Sequence, residues 1–166
     1  MEQPAGIRMR EAVESDEAAL LDLDRRTWSP DVGVFPRPGP DAVLFDPAHR
    51  PEQYTLAVRE GRIVGYVRLV QPVPAPSNAH IREIQGLAVD PSEQGRGVGY
   101  ALVTAACERA RREGARRIRL RVLSTNPRAR RLYERAGFTV DGILPGEFHI
   151  EGRYVDDILM GRSLDG

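Results

Sequence analysis

The stretch Leu87-Ala88-Val89-Asp90-Pro91-Ser92-Glu93-Gln94-Gly95-Arg96-Gly97-Val98-Gly99-Tyr100 decides how the rest of the chain is read. An apolar strand stops at Pro91, and a glycine-rich turn leads directly into a helical pattern. Glycines there let the backbone come close to a ligand and leave the first N–H groups of the helix facing outward. Together with the positive end of the helix dipole they make an anion site suited to a pyrophosphate. The dinucleotide fingerprint Gly-x-Gly-x-x-Gly is not met. Counted from Gly95 its last position is Tyr100; counted from Gly97 it is Leu102.

Working outward, Ile81 to Val89 reads as the strand and Gly95 to about Glu113 as the helix, with Gly114 as its stop. Val98, Ala101, Leu102 and Ala105 fall in one stripe at helical spacing. Ile118, Leu120 and Val122 alternate with Arg117, Arg119 and Arg121, the period of a half-buried strand. Asn126-Pro127 opens a further helix, with Asn as N-cap and Pro in the first turn. Its inner face is Ala129, Leu132, Tyr133 and Ala136, and Gly137 ends it. Phe138 to Leu144 and Tyr154 to Leu159 close the chain as strands.

Upstream, Ile7 to Ala12 is a strand, and Ser15 is expected to cap a helix running to about Arg26. Residues 41–45 are expected to form a short helix before Pro47. Tyr54 to Arg59 and Ile63 to Val70 form a hairpin across Glu60-Gly61-Arg62. The order predicts an α/β or α+β fold with a mixed sheet.

The length of 166 residues suits one domain over 1–166. Twenty-four basic residues balance 24 acidic ones, and every basic residue is arginine. Without lysine, a P-loop, a protein kinase site and a pyridoxal-phosphate Schiff base are excluded. A single cysteine, Cys107, and three scattered histidines give no metal-ligand spacing, so no metal is expected. Residues 1–90 carry 10 arginines against 14 acids; residues 91–166 carry 14 against 10. The basic half could face nucleic acid, a membrane or a phosphorylated ligand. Met1-Glu2-Gln3-Pro4 does not open a signal peptide, and no apolar run approaches a membrane span. The expectation is a soluble, cytoplasmic protein. The loop 27–40, with four prolines and Trp28 and Phe35, is long enough to suggest a binding loop.

The turn and the segment after it resemble the GNAT superfamily of acetyl-CoA-dependent N-acetyltransferases. Gln94, Gly97 and Gly99, with Arg96 between, match that family's Gln/Arg-x-x-Gly-x-Gly/Ala turn, and Asn126, Tyr133, Gly137 and Phe138 match its second block. The two blocks cover residues 81–140 in the right order. The resemblance implies a twisted, mostly antiparallel sheet of about seven strands with about four helices, its central strands splayed into an acetyl-CoA cleft. It assigns Leu87, Ala88 and Val89 to the pantetheine arm, Gln94, Gly95, Arg96, Gly97, Val98, Gly99 and Tyr100 to the pyrophosphate, and Asn126 to the cleft wall. Among the arginines between Arg109 and Arg135, Arg130 and Arg131 join Arg96 as candidates for the cofactor's phosphates.

Acetyl transfer to an amine needs the neutral amine and a proton for the leaving thiolate. By resemblance Tyr133 is the general acid. Glu83, at the offset where one branch carries its base, is the candidate base, its basicity expected to rise through burial. The bland alternative pairs Glu83 with an arginine such as Arg82 or Arg68. A second branch has its base where this chain has Arg121, which cannot serve.

The acceptor site would draw on Trp28, Phe35, Glu147, His149, Tyr154, Asp156 and Asp157, with Trp28, Phe35, Tyr154 and Asp156 foremost. The expected partner is a small-molecule amine, an amino acid or a related compound. No nucleic acid or membrane is expected, and a homodimer stays open. A protein or peptide N-acetyltransferase and a non-catalytic acyl-CoA sensor are the alternatives. An acetyltransferase without lysine would also offer itself no side-chain amine to modify.

Overall fold

A computed structural model describes residues 3–165 of the chain. One seven-stranded sheet runs in the order β1-β2-β3-β4-β5-β7-β6. The strands are β1 (Ile7–Glu11), β2 (Tyr54–Arg59), β3 (Arg62–Val70), β4 (Ile81–Val89), β5 (Arg117–Leu123), β6 (Thr139–Ile150) and β7 (Arg153–Ser163). Three α-helices join them: α1 (Glu17–Thr27), α2 (Val98–Arg112) and α3 (Pro127–Arg135). Only β4 and β5 are parallel; every other neighbouring pair is antiparallel.

The apolar periodicities produce two cores, one on each face of the sheet. The α2 stripe, including Val98, Leu102, Val103 and Ala106, packs on Val64, Val67, Ile84, Ile118 and Leu120. On the other face Leu20 and Leu23 of α1 meet Leu56, Tyr66 and Ala88. Each fully buried Leu or Val of this kind contributes about 1.5–3 kcal/mol by leaving water. Because side chains alternate, β5 sends Ile118, Leu120 and Val122 into the α2 core and presents Arg117, Arg119 and Arg121 on the α1 side.

The structure corrects three local expectations. Residues 41–45 are not helical: the N–H groups of Leu44 and Phe45 donate to Glu17 Oε2 at 3.1 and 2.8 Å instead of turning inward, so α-helices number three among the described residues. Ser15 does not cap α1. Asp16 organises that corner, accepting from the Val13 N–H at 2.8 Å and pairing with Arg10 at 2.8 Å. The last two strands extend further than the apolar runs indicate. Pro145 and Gly146 sit at an irregularity between Leu144 and Phe148, after which pairing with β7 resumes.

Two irregularities shape the centre. The β3–β4 register slips between Leu69↔Ile84 and Val67↔Leu87, bulging β4 at Gln85 and Gly86. On its other edge β4 pairs with β5 only from Ile81↔Arg117 to Ile84↔Leu120. Beyond that rung β5 continues alongside β7 to Leu123↔Asp157. The two central strands therefore part, and the edge of β4 from Gln85 to Val89 is left without a strand beside it.

Candidate active site

The parting of β4 and β5 opens a cleft of ≈ 1570 Å³. Small-ligand pockets usually measure about 300–1,000 Å³, so there is room here for two ligands together. Leu87, Ala88 and Val89 line one wall, Gln94 to Tyr100 one end, and Asn126, Ala129, Leu132 and Tyr133 the opposite wall.

The turn is built to hold its shape without a ligand. Asp90 closes β4 by accepting from the Ser92 N–H at 2.9 Å and from Arg26 at 2.7 Å. Burial alone would raise the Asp90 pKa, but those bonds outweigh it and bring it to about 2. Glu93, also buried, pairs with Arg59 at 2.9 Å. Gly95 and Gly97 adopt left-handed φ of 80° and 85°, which a side chain would strain. Gly97 is the N-cap of α2, and the first helical bond runs from Ala101 N to Gly97 O. The N–H groups of Val98, Gly99 and Tyr100 thus have no acceptor inside the helix and open on the cleft end. At the opposite wall the Asn126 side chain accepts from the Ala129 N–H at 3.2 Å, capping α3 and fixing where Tyr133 enters.

Tyr133 is buried, and desolvation pushes its pKa well up, so the phenol keeps its proton. Its ring meets Phe138 at 6.0 Å, while the residue also lines the cleft. Glu83 lies on the α1 side and pairs with an arginine, as the structural alternative expected, but the partner is Arg119 and neither Arg82 nor Arg68. Its Oε2 accepts from Arg119 Nε at 2.6 Å and its Oε1 from Gln85 Nε2 at 2.9 Å. The carboxylate is buried but not isolated, which replaces the expectation of a lone desolvated base. Each oxygen still has a second acceptor position.

The remaining sequence candidates divide. Trp28 and Phe35 line the cleft, joined by a 2.9 Å bond from Trp28 Nε1 to the Phe35 carbonyl. Their loop is tied to the start of β7 and the turn after β5 by Asp31, whose carboxylate pairs with Arg153 at 2.9 Å and whose main-chain carbonyl accepts from Thr125 at 2.8 Å. Arg130 pairs with Glu134 at 2.9 Å and, like Arg131, does not line the cleft; Arg128, bonded to Gln94, does. Tyr154 is exposed and stacked on His149 at 4.6 Å, away from the lining residues. Asp156 ties the last hairpin together, accepting from the Gly146 N–H at 2.8 Å. Its neighbour Asp157 faces the cleft instead, buried and paired with Arg121 at 3.1 Å. Burial raises the Asp157 pKa against the pull of Arg121. Cys107 is buried in the α2 core, its pKa raised by desolvation, away from the cleft.

Sequence reasoning passed over Asp24, Tyr66 and Gln85, all of which line the cleft; Tyr66 donates to Asp24 Oδ1 at 2.6 Å. Burial raises the Asp24 pKa and, more strongly, that of Tyr66. Arg68, considered only as a partner of Glu83, also lies here. The available signal was one charge inside the apolar strand Ile63-Val64-Gly65-Tyr66-Val67-Arg68-Leu69-Val70.

The sequence profile of the acetyltransferase (GNAT) family matches residues 18–138, a span that includes the open strand edge, the glycine turn that starts α2 and Tyr133 on the facing wall. The chain belongs to the GNAT acetyltransferase family. It shares this fold with a GCN5-related N-acetyltransferase from Kribbella flavida, 27% identical, with a TM-score of 0.80 over 97% of this chain and 99% of that one. A protein from Salmonella typhimurium solved with its cofactor acetyl-CoA has the same fold, with a TM-score of 0.76 over 98% and 96% of the two chains at 22% identity. By sequence, this GNAT chain is 35% identical over 127 residues to a mycothiol acetyltransferase of Sanguibacter keddieii, covering 75% of this chain and 40% of that protein. The chain thus spans less than half the length of that relative. Among the described residues no helix is long and apolar enough to cross a membrane, and no three His, Cys, Asp or Glu side chains gather as a metal site would require.

Proposed function

We propose that this protein moves the acetyl group of acetyl-CoA to the primary amine of a small molecule, with Glu83 as general base and Tyr133 as general acid. The observation that carries the reading is the unpaired β4 edge, Gln85 to Val89, running from the Glu83 rung to the glycine turn. The residues fit the cofactor. The N–H groups of Val98, Gly99 and Tyr100 would hold its pyrophosphate, with Arg96 and Arg128 adding positive charge at the same end. Leu87, Ala88 and Val89 would hold its amide-bearing arm through main-chain hydrogen bonds, as an added strand. When bound, the cofactor supplies an activated thioester.

Glu83 takes the proton of an acceptor ammonium, which in solution has a pKa of roughly 10 and is nearly all charged at neutral pH. The freed amine nitrogen bonds to the acetyl carbon as the carbon–sulfur bond breaks; Tyr133 gives its proton to the sulfur, and the nitrogen, losing its second proton as it becomes an amide, returns one to the Tyr133 phenolate. The raised Tyr133 pKa supports this role, since the phenol enters the reaction protonated. Trp28 and Phe35 would wall the acceptor side from above. The mycothiol acetyltransferase relatives support a small-molecule acceptor. A screen of amines with acetyl-CoA, following free thiol release, tests the reading. Amine-dependent release is the expected result; coenzyme A binding without turnover of any amine would identify a sensor.

A further inference from the structure

Among the described residues six charged side chains are buried: Asp16, Arg68, Glu83, Asp90, Glu93 and Asp157. Each of the five carboxylates is met by an arginine, namely Arg10, Arg119, Arg26, Arg59 and Arg121. Among the described residues Arg68 is the one buried cation, and no carboxylate pairs with it. A buried charge without a counter-ion is costly.

Its hydrogen bonds all end on neutral oxygens. Nε donates to Gln53 Oε1 at 2.9 Å, Nη1 to Gln85 Oε1 at 3.2 Å and Nη2 to the Ala48 carbonyl at 2.8 Å. The carboxylates near it are already engaged. Asp46 accepts from His49 Nδ1 at 2.9 Å and from the Ala48 and His49 N–H groups; Asp24 accepts from Tyr66. Burial lowers the Arg68 pKa from the usual arginine value, against the opposing pull of Tyr54, Asp46 and Tyr66. Two of its five N–H groups remain for another acceptor. Arg68 lines the cleft with His49, Tyr54, Tyr66 and Gln85.

Gln85 sets the distance from this cation to Glu83. Its side-chain oxygen accepts from Arg68 at 3.2 Å and its nitrogen donates to Glu83 Oε1 at 2.9 Å. With about 2.3 Å between oxygen and nitrogen of an amide, Arg68 Nη1 and Glu83 Oε1 lie no more than about 8.4 Å apart. The nitrogen and carboxylate oxygen of an α-amino acid are about 3 Å apart. Charge-assisted hydrogen bonds of about 2.8 Å at both ends extend that reach to about 8.5 Å.

We propose that Arg68 anchors the acceptor's carboxylate, making the acceptor an α-amino acid whose amine then stands at Glu83. The inference rests on the acetyl-transfer reading and narrows its substrate class. A polyamine or a peptide N-terminus has no carboxylate beside its amine and leaves Arg68 without a counter-ion.

The test compares the standard amino acids with their decarboxylated amines, as substrates with acetyl-CoA and as ligands by saturation-transfer NMR. The wild-type protein should acetylate one or more amino acids with KM at least tenfold below that of the matching decarboxylated amine. Arg68→Gln should raise the amino-acid KM roughly 10- to 100-fold, at least tenfold more than it raises that of the decarboxylated amine. Arg68→Lys should recover part of the difference. Equal or better use of decarboxylated amines by the wild type overturns the proposal, with or without a folded variant. So does an equal loss on both substrate sets in a folded Arg68→Gln protein, the mark of a purely structural strut. If no amine of either set turns over, the acetyl-transfer reading fails and the NMR arm still decides the anchor. Amino-acid binding that the decarboxylated amines do not share, abolished by Arg68→Gln, supports it; binding indifferent to the carboxylate overturns it.

Discussion

Glu83 and Arg119 face each other across a paired rung of the two parallel strands, Oε2 to Nε at 2.6 Å, one residue before those strands part. The ion pair places a carboxylate at the mouth of the cleft and holds its rotamer while leaving acceptor positions on both oxygens. Glu83→Gln removes the proton acceptor with little change of shape. Turnover should fall about 10²-fold or more, and the rising limb of the rate against pH should move to higher pH, since solvent must then deprotonate the amine. A kcat/KM profile over pH checks this. A profile of unchanged shape would assign the proton to a water relay.

Tyr133 stands on the far wall with its pKa raised by burial. Tyr133→Phe keeps the ring packed against Phe138 and deletes only the proton donor. Expected is a fall in kcat of about 10²-fold or more with the Kd of coenzyme A within twofold of wild type. Steady-state kinetics beside calorimetry separate the two quantities. Unchanged turnover would remove Tyr133 from the chemistry.

Asp90 and Asp157 are both buried and should respond to pH in opposite senses. The folded state favours ionised Asp90, at about 2 against 3.8 for the free group. Its contribution is therefore complete above 3.8 and lost as pH falls through about 2. Burial makes the folded state favour neutral Asp157, so that contribution is present below 3.8 and lost as pH rises through the folded value. Asp90→Asn should lower stability at pH 7 by about 1–3 kcal/mol, whereas Asp157→Asn should leave the unfolding midpoint at pH 7 equal or higher. Urea titrations at pH 7 and pH 3 read both.

Gly97→Ala puts a side chain at φ 85° on the N-cap of α2. The strain should cost about 1–2 kcal/mol and tilt the N–H groups of Val98 to Tyr100. Coenzyme A affinity should fall at least tenfold, with a smaller loss for dephosphorylated pantetheine, which bypasses the turn. Equal losses on the two ligands would place the pyrophosphate elsewhere.

The fold was legible wherever local chemistry and tertiary packing agreed. The Leu87–Tyr100 stretch carried its own strand end, positive-φ glycines and helix start, and the alternation from Arg117 to Val122 placed β5 and its arginine face. Failures came where a distant residue took over a local role. Glu17 captured the N–H groups of Leu44 and Phe45, which are 27 and 28 residues away, so no helix formed there. The cofactor side of the site is a contiguous motif and could be read directly. The acceptor side is assembled from β3, β4, β5 and β7, and Arg68, Gln85 and Asp157 meet only because the sheet bulges at Gln85 and splays after Ile84. Asp156 and Asp157 differ by one strand residue, hence by one face of the sheet, and pairing register alone decides which enters the cleft.

The most direct test is mass analysis after incubating the purified protein with isotopically labelled acetyl-CoA and the standard amino acids. Labelled N-acetyl amino acid should appear in step with free coenzyme A, with a yield at least tenfold lower from Tyr133→Phe under the same conditions. Labelled product formed equally by Tyr133→Phe, or coenzyme A bound with no labelled amine at all, would contradict acetyl transfer by this site.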